Sequence, residues 1–327
     1  MIGGKIMLKP VYYLQGDKKW GSHNYSAKGE RKTIASSGCG PTSAAMVIET
    51  LRPDLEGAIT PVETADWSMK HGYKYLNQGT AYSYFSKQMT VYSITCNQLN
   101  SSNHYHSTNT KLENKVYGYL KNPGYFVIAC MGVGNWTSGG HYVVAYGIDD
   151  NDNVYINDPA SKGEGKTGYP RTKAPWNVFK REVKYFWSIK WGINYKIKGA
   201  ETKRCALYEK NDSTSKKIEK INGGKDIWLI RDMKNGWSLV ATSNNVGYMK
   251  NTVINAVGLS SYKKCILASD VTVYEKNSSL SAKLFKITAG NEVKIITRRK
   301  NWSNVVAPNG AKGWIKTKFI DEALNNK

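Results

Sequence analysis

The pattern of apolar and polar positions differs on the two sides of residue 200, and the upstream part begins with helices. The run Cys39 to Leu51 is opened by Gly-Cys-Gly-Pro and continued by strong helix formers, with Pro41 in the first turn, so it predicts a helix. A second helix is expected after Pro61, in the run VETADWSMKHGY, and a third near Asn114 to Leu120.

Strands follow these helices along the chain. Short runs rich in β-branched and aromatic residues predict strands over Tyr125 to Met131, His141 to Ile148 and Val154 to Asn157, with a Gly/Asp turn between the last two. The stretch Trp176 to Trp187 fits either a closing helix or a pair of strands. Helices first and an antiparallel sheet afterwards is an α+β order.

The downstream part contains an internal repeat. Segments that begin at Leu207 and Val273, about 65 residues apart, share turn and aromatic positions along their length. In each copy, short alternating runs separated by Gly, Asn and Ser turns predict a small antiparallel β-barrel. The clearest matches pair Tyr208 with Tyr274, Trp237 with Trp302, Gly247 with Gly313 and Tyr248 with Trp314.

Length and composition agree with several folded regions. A chain of 327 residues with 40% hydrophobic and 12% aromatic content favours two or three domains. No run approaches about 18 consecutive apolar residues, so we expect no membrane span. The opening MIGGKIMLKPVYYLQGD lacks the apolar core of a secretory signal. We therefore expect synthesis in a cytoplasm and, for action outside, another route of release.

The net charge of +22 is spread over both halves of the chain. Such a field attracts polyanions over a distance that salt shortens. Nucleic acid is one candidate partner, and the teichoic-acid-rich envelope of a Gram-positive cell is another. No helix-turn-helix, zinc-finger or RNP-like motif occurs, which disfavours nucleic acid.

The cysteines point to one reactive thiol. Five cysteines at irregular spacing form no Cys-x-x-Cys pair, which argues against a disulfide framework and a zinc site. Cys39 alone lies between two glycines at the start of a predicted helix, where backbone N–H groups and the helix dipole favour thiolate. We expect the flanking glycines to let a substrate carbonyl approach the backbone.

A thiol nucleophile needs a base, and His141 is the best placed of five histidines. It opens a predicted strand directly after Gly139-Gly140. Asp158 falls on the next strand of a hairpin, from which its carboxylate could orient the imidazole. His104 and His106 lie in a Ser/Asn-rich segment and are expected to be solvated surface residues.

Residues 10–160 resemble the papain-like cysteine peptidases related to bacteriocin-leader processing peptidases, in the branch without a transporter. The resemblance implies that Cys39 is the nucleophile, His141 the general base and acid, and Asp158 the group that orients His141. It also implies that Gln15 donates to the oxyanion, and it calls for neither a cofactor nor a metal. The motifs, in the family's order, are PVYYLQGDKKW, CGPTSAAM, GGHYVVAYGIDD and NVYINDPAS.

Two further residues of the first motif, Asp17 and Trp20, match the family, and we expect structural roles for both. The repeats resemble bacterial SH3-like domains, the modules that bind cell wall in lytic enzymes. We therefore expect an α+β papain-like peptidase domain followed by two small all-β SH3-like barrels. The predicted boundaries are 1–196 for the peptidase domain, 203–257 for the first repeat and 264–323 for the second.

This architecture resembles a phage endolysin or bacterial autolysin that hydrolyses Gram-positive peptidoglycan. The absence of a secretory signal favours an endolysin released through a holin pore. A leader-peptide-processing peptidase, a non-catalytic wall- or receptor-binding protein with a degenerate peptidase fold, and a nucleic-acid-binding protein are the alternatives. The sequence leaves open which amide is cut: a stem-peptide bond, a cross-bridge or the muramoyl-alanine amide. Host species and oligomeric state are also left open.

Overall fold

The computed structural model describes residues 7–52, 59–92, 94–196, 205–222, 226–232, 236–250, 263–298, 301–308 and 311–325. The chain forms two compact units, one that contains the N-terminal domain and the first repeat, and one that contains the second repeat. The helices are α1 (Ile34–Ser37), α2 (Cys39–Leu51), α3 (Pro61–Lys70), α4 (Tyr84–Val91), α5 (Thr110–Lys121), α6 (Trp176–Glu182) and α7 (Thr317–Asn325).

Local signals in the sequence explain where two of these helices begin. Thr60 caps α3, because its side chain accepts from the Val62 N–H while the Glu63 carboxylate accepts from the Thr60 N–H at 2.9 Å. Asn109 caps α5 by accepting from the Leu112 N–H at 3.0 Å. The three predicted helices are confirmed, and α2 has the predicted bounds.

The N-terminal domain is built on a six-stranded antiparallel sheet with the order β1-β6-β2-β3-β4-β5. The predicted bounds of β2 and β3 are confirmed, and the ambiguous stretch from Trp176 contains both elements, since α6 leads directly into β6. The strands are β1 (Cys96–Gln98), β2 (Tyr125–Met131), β3 (His141–Ile148), β4 (Asn153–Asn157), β5 (Lys173–Pro175) and β6 (Val183–Lys190).

Helices cover both faces of the central strands, which explains why β3 is buried along its whole length. Leu112 and Val116 of α5 join one core with Val127 and Val143. Successive side chains of a strand point to opposite faces, and α2 lies against the other face, where the Ser43 hydroxyl donates to the Tyr142 carbonyl at 3.3 Å. The buried α2 is thereby fixed against the strand that begins at His141.

The two repeats have the same fold. Their six-stranded sheets have the orders β7-β10-β11-β12-β8-β9 and β13-β16-β17-β18-β14-β15, which are the same topology shifted by one repeat. The first sheet contains β7 (Ile193–Lys196), β8 (Cys205–Tyr208), β9 (Lys217–Ile221), β10 (Asp226–Asp232), β11 (Trp237–Ala241) and β12 (Val246–Lys250). The second contains β13 (Lys263–Ile266), β14 (Val271–Tyr274), β15 (Lys283–Ile287), β16 (Glu292–Arg298), β17 (Trp302–Val306) and β18 (Lys312–Lys316).

Aromatic packing repeats along with the strands. Tyr208 and Trp237 form an edge-to-face pair with centroids 5.3 Å apart, and Tyr274 and Trp302 form the same pair at 5.3 Å. The predicted all-β repeats are therefore confirmed as two antiparallel sheets of equal topology, and their closure into barrels stays a prediction.

The first repeat is joined to the peptidase domain by sheet and side-chain contacts. Strand β7, which falls within the predicted range 1–196, pairs with β10 and so belongs to the sheet of the first repeat. The Lys190 ammonium, at the end of β6, donates to the Thr242 carbonyl at 2.7 Å and lies over the rings of Tyr125 and Trp228. These contacts explain why one compact unit contains both domains.

None of the helices in the described part of the chain is long and apolar enough to cross a membrane. All five cysteines lie in described residues, and all five are thiols.

Candidate active site

Cys39 is the first residue of α2, and the helix fixes the position of its thiol. Gly38 caps the helix, and its carbonyl accepts the first helical hydrogen bond from the Thr42 N–H at 2.9 Å. The residues that follow are buried from Gly40 to Ile48 and hold the helix rigidly. The thiol faces a cleft of about 560 Å³, which His141 and Gln15 also line.

The glycines beside Cys39 serve packing, and their expected role in admitting a substrate carbonyl to the backbone stays a prediction. A methyl group at Gly38 would lie 2.6 Å from the Ile34 carbonyl oxygen, and one at Gly40 would lie 2.4 Å from the Thr80 hydroxyl. Both directions point into the protein. These glycines let α1, α2 and the residue-80 segment pack closely around the thiol.

The structure brings His141 and Asp158 together, as their predicted positions on neighbouring strands require. Strands β3 and β4 pair, and the His141 Nε2 lies 2.6 Å from the Asp158 Oδ1. The Asp158 side chain is fully buried and that of His141 is 8% exposed. The His141 side chain also hydrogen bonds to Cys39. Since Nε2 is engaged by Asp158, Nδ1 is the ring nitrogen available to the thiol.

Arg171 is a site residue that the sequence analysis missed. Its Nε donates to the Asp158 Oδ2 at 2.7 Å, and its terminal nitrogen donates to the Trp136 carbonyl at 2.6 Å. The Ala160 N–H donates to the Asp158 Oδ1 at 2.8 Å. The carboxylate is thus fully partnered while buried, as a buried charge must be. No motif marks Arg171, because only the fold brings it to Asp158.

The electrostatics favour a thiolate and an imidazolium. Burial opposes ionisation of Cys39, but the hydrogen bond and charge of His141, with the backbone at Tyr142 and Gly40, hold the pKa of its thiol below the usual value. Burial alone would lower the pKa of His141, yet its hydrogen bonds to Asp158 and Cys39 raise it to about 9. The lowered pKa of the thiol and the raised pKa of the imidazole both favour placing the shared proton on the imidazole.

Gln15 lies in the cleft with Cys39, on a segment that docks beside Asp158. The Gln15 N–H donates to the Pro159 carbonyl at 2.7 Å, which ties this segment to the loop after β4. Its side-chain Nε2 donates to the Ala35 carbonyl at 2.6 Å, while Oε1 is buried and has no hydrogen-bond partner among the described residues. The oxyanion role of Gln15 stays a prediction.

Trp20 and Asp17 shape the turn behind Gln15. Trp20 is buried, and its ring N–H donates to the Leu14 carbonyl at 2.7 Å. The Asp17 carboxylate accepts from the Lys19 N–H at 2.9 Å, and the Asp17 carbonyl accepts from the Trp20 N–H at 3.1 Å. Both contacts are structural and fix the main chain next to Gln15.

The cleft is open on the side of Gly140. A methyl group at Gly140 would meet no atom within 4 Å, so space for a substrate exists beside His141. The cleft is lined by Gln15, Lys32, Ser36, Ser37, Cys39, Tyr75, Asn77, Gln78, Gly79, Thr80, Ala81, Tyr82, Cys130, Gly140, His141, Tyr142 and Lys184.

One histidine outside the site was placed wrongly by the sequence analysis. His104 is only 3% exposed, and its ring lies 5.8 Å from that of Phe186. The Ser107 hydroxyl lies 3.2 Å from its Nδ1. The polar composition of the segment concealed this burial, because a short loop folds back onto β6. His106 is exposed, as expected.

Comparisons with known proteins agree with this geometry. Residues 12–185 match the model of the Peptidase_C39 like family, and residues 269–321 match that of a bacterial SH3 domain. A comparison with curated proteins gives no significant match.

Several solved structures are similar at low identity. A double glycine motif protease from an AMS/PCAT transporter in complex with the leader peptide is 17% identical, with a TM-score of 0.33 over 56% of this chain and 93% of that one. Ly7917 with the hydrolyzing product of MDP is 13% identical, with a TM-score of 0.20 over 66% and 88%. NlpC2 from Trichomonas vaginalis is 10% identical, with a TM-score of 0.23, and the match spans 38% of this chain and 46% of NlpC2. Neither activity nor substrate follows from these similarities.

Proposed function

Because the chain belongs to the Peptidase_C39 like family, whose model matches residues 12–185, we propose that it is a cysteine hydrolase that cleaves an amide bond in Gram-positive peptidoglycan. The observation that carries this proposal is the hydrogen-bonded chain from Cys39 through His141 to Asp158 at the edge of a cleft. A thiolate at a helix N-terminus beside an oriented imidazolium is an activated nucleophile.

The proposed reaction begins when the Cys39 thiolate attacks the carbonyl carbon of the amide. The oxyanion that forms accepts from the Cys39 backbone N–H and from the Gln15 side chain, and one such donor is worth about 2.7–4 kcal/mol in the transition state. Asp158 holds the imidazolium in the orientation that the step needs.

Collapse of the tetrahedral intermediate breaks the C–N bond, and the proton of His141 passes to the departing amine. A thioester to Cys39 remains. His141, now neutral, removes a proton from water, which attacks the thioester carbonyl. The C–S bond breaks, the carboxylic acid leaves, and the thiolate–imidazolium pair is restored.

The C-terminal bacterial SH3 domain supports the cell wall as the substrate. A second copy of the same strand topology adds another wall-binding module in this proposal. Two tethered modules raise the local concentration of substrate and add avidity without new contacts. We further propose that teichoic acids contribute to the attraction, and that the protein is an endolysin made in the host cytoplasm and released through a holin.

Lysis of purified Gram-positive walls by matched cysteine variants tests the proposal. Cys39→Ala should abolish lysis and leave wall binding intact, whereas Cys96→Ala should retain lysis. Cys96 is the matched control because burial raises the pKa of its thiol to about 12 and it lies outside the cleft. Undiminished lysis by Cys39→Ala would overturn the nucleophile assignment.

Mass spectrometry of the released fragments identifies the bond. New N-termini distinguish cleavage of a stem peptide or cross-bridge from cleavage of the muramoyl-alanine amide. Full activity in EDTA is expected for a thiol mechanism, and a loss of activity that added metal reverses would contradict it.

A further inference from the structure

The charged side chains of the cleft, apart from the catalytic histidine, have one sign. Lys32 and Lys184 line the cleft, and none of the residues that line it is a carboxylate. The remaining polar lining consists of hydroxyl, amide and thiol groups. Glu30 lies behind the loop of residues 75–79. Its carboxylate forms an ion pair with Lys74 and accepts a hydrogen bond from the Asn77 N–H at 2.9 Å.

The two lysines approach from different walls. Lys32 belongs to the segment before α1, and its main chain is fixed, because its N–H donates to the Ser26 hydroxyl at 2.7 Å and its carbonyl accepts from the Tyr25 N–H at 3.0 Å. Its side chain is exposed and makes no ion pair with a described residue. A rigid main chain therefore presents a solvated cation at the edge of the cleft.

Lys184 lies on the sheet wall, on β6. Its ammonium has a weak contact with the Gly139 carbonyl at 3.4 Å and no carboxylate partner among the described residues. Its positive charge acts to lower the pKa of the thiol of Cys130, a cleft residue on the adjacent strand β2. Burial keeps the pKa of that thiol at about 12, so Cys130 is a neutral neighbour that leaves the charge of Lys184 available to a ligand.

We propose that Lys32 and Lys184 are specificity residues that bind a carboxylate of the substrate, so that the cleft selects acidic peptides over their neutral counterparts. This inference rests on the proposed amide hydrolysis at Cys39. The ammonium of Lys184 makes an exposed contact, so each ion pair with a ligand should be as weak as other surface pairs, and the selectivity comes from two such pairs acting together. A neutral or amidated peptide would leave both ammonium groups unpaired.

Soluble peptidoglycan fragments, prepared with a muramidase, test this assignment without interference from wall binding. One portion keeps its free carboxylates, and in the other they are converted to carboxamides. Wild-type protein should cleave the acidic fragments with a kcat/KM about tenfold higher, mainly through a lower KM, as two ion pairs of about 0.7 kcal/mol each would give. In Lys32→Gln/Lys184→Gln this preference should fall to near unity.

A double variant of equal charge is the control. Lys28 and Lys111 are exposed and lie outside the cleft, so Lys28→Gln/Lys111→Gln should keep the tenfold preference. Binding of both fragment types to the Cys39→Ala protein gives a second measurement that needs no turnover, and the acidic type should bind more tightly.

The two proposals fail in different ways. If wild-type protein cleaves both fragment types at equal rates, or if the cleft variant keeps the preference, hydrolysis stands and the carboxylate site is overturned. If wild-type protein cleaves neither type, the proposed function falls, and the carboxylate site falls with it.

Discussion

At the residue scale, the proposed mechanism depends on the proton shared by Cys39 and His141. The reactive form needs an ionised thiol and a protonated imidazole at the same time, and burial of both groups makes each ionisation depend on the other. Asp158 favours this form because its carboxylate compensates the charge of the imidazolium. The pH dependence of the reaction therefore reports on all three residues.

We expect a bell-shaped profile of kcat/KM against pH on soluble fragments. The alkaline limb should lie near pH 9, where His141 loses its proton, since its pKa is raised to about 9. Asp158→Asn should move this limb to lower pH, because the carboxylate charge that helps to raise the pKa of His141 is removed and any hydrogen bond that remains is to a neutral amide. A limb at unchanged pH in Asp158→Asn would contradict the pairing.

Arg171 should matter for the rate although it lies behind Asp158. Arg171→Met removes a charge-assisted hydrogen bond worth about 1.5–3 kcal/mol, and the loosened Asp158 carboxylate should lower kcat by roughly tenfold or more. Arg171→Lys should restore activity only in part, because one ammonium cannot reproduce both the Asp158 and the Trp136 contacts. Exposed Arg181→Met is the control, and a folded Arg171→Met protein with native kcat would contradict the role.

Two glycines near the site should respond differently to alanine. Gly140→Ala meets no atom within 4 Å, so the unfolding free energy should change by less than about 0.5 kcal/mol, while kcat/KM falls because the methyl group occupies substrate space. Gly40→Ala meets the Thr80 side chain and should lower the unfolding free energy by roughly 1–3 kcal/mol. Chemical denaturation measures the unfolding free energy, and cleavage of soluble fragments measures kcat/KM. A native kcat/KM in Gly140→Ala would show that the substrate does not occupy this space.

Site residues could be predicted where they lie within a recognisable local sequence pattern. Cys39 is the first residue of a helix and His141 the first residue of a strand, and the sequence alone predicts both positions. Arg171 and the burial of His104 depend on how distant segments pack, and no local pattern reports that. The glycines flanking Cys39 were recognised as special, but only coordinates show that their α-hydrogens face Ile34 and Thr80.

At the element scale, apolar runs determined what could be predicted. Helix α2 and strands β2 and β3 have the expected bounds because each is buried along its length and is bordered by turn residues. The helix α1 and the short strands β1 and β5 were not predicted, because elements of three or four residues leave little periodicity. The switch from α6 to β6 without an intervening loop explains why the segment from Trp176 fitted both patterns.

The junction of β6 and β7 makes the first repeat part of the unit that contains the active site. Gly192, between the two strands, has a φ of +83°, a conformation that favours glycine. A methyl group there would also lie 2.4 Å from the Leu229 carbonyl oxygen. The chain therefore turns tightly from one sheet into the next.

Lys190 should make the stability of this unit depend on alkaline pH. Burial lowers its pKa to about 8, against an opposing effect of Glu219. Between pH 8 and about 10.5 the unfolded chain keeps the Lys190 proton that the folded state has lost, so the free energy of unfolding should rise with pH in this window. Below pH 8 both states carry the proton, and the full cost of burying the charged ammonium lowers the stability of the folded state. Lys190→Met should remove this rise, and equal pH dependence of the two proteins in denaturation would contradict it.

At the scale of the whole molecule, the chain combines the cleft at Cys39, two repeats and a net charge of +22. The first repeat shares a compact unit with the peptidase domain, and the second repeat forms a unit of its own. A truncation that removes wall binding without disturbing catalysis should therefore respect this division. Cutting after residue 196 would take β7 away from its partners in the first repeat.

A protein that ends at Gly258 keeps β7 to β12 together and removes Leu259–Lys327, the part of the second unit that contains the second repeat. We expect it to cleave soluble fragments within about twofold of the full chain, because the active site lies entirely in the retained unit. Its affinity for insoluble walls should fall at least tenfold, since loss of one of two tethered modules removes avidity. Co-sedimentation with walls at several salt concentrations measures this fall, and residual binding should weaken as salt screens the basic surface. Wall binding equal to that of the full chain would mean that the second repeat has another task.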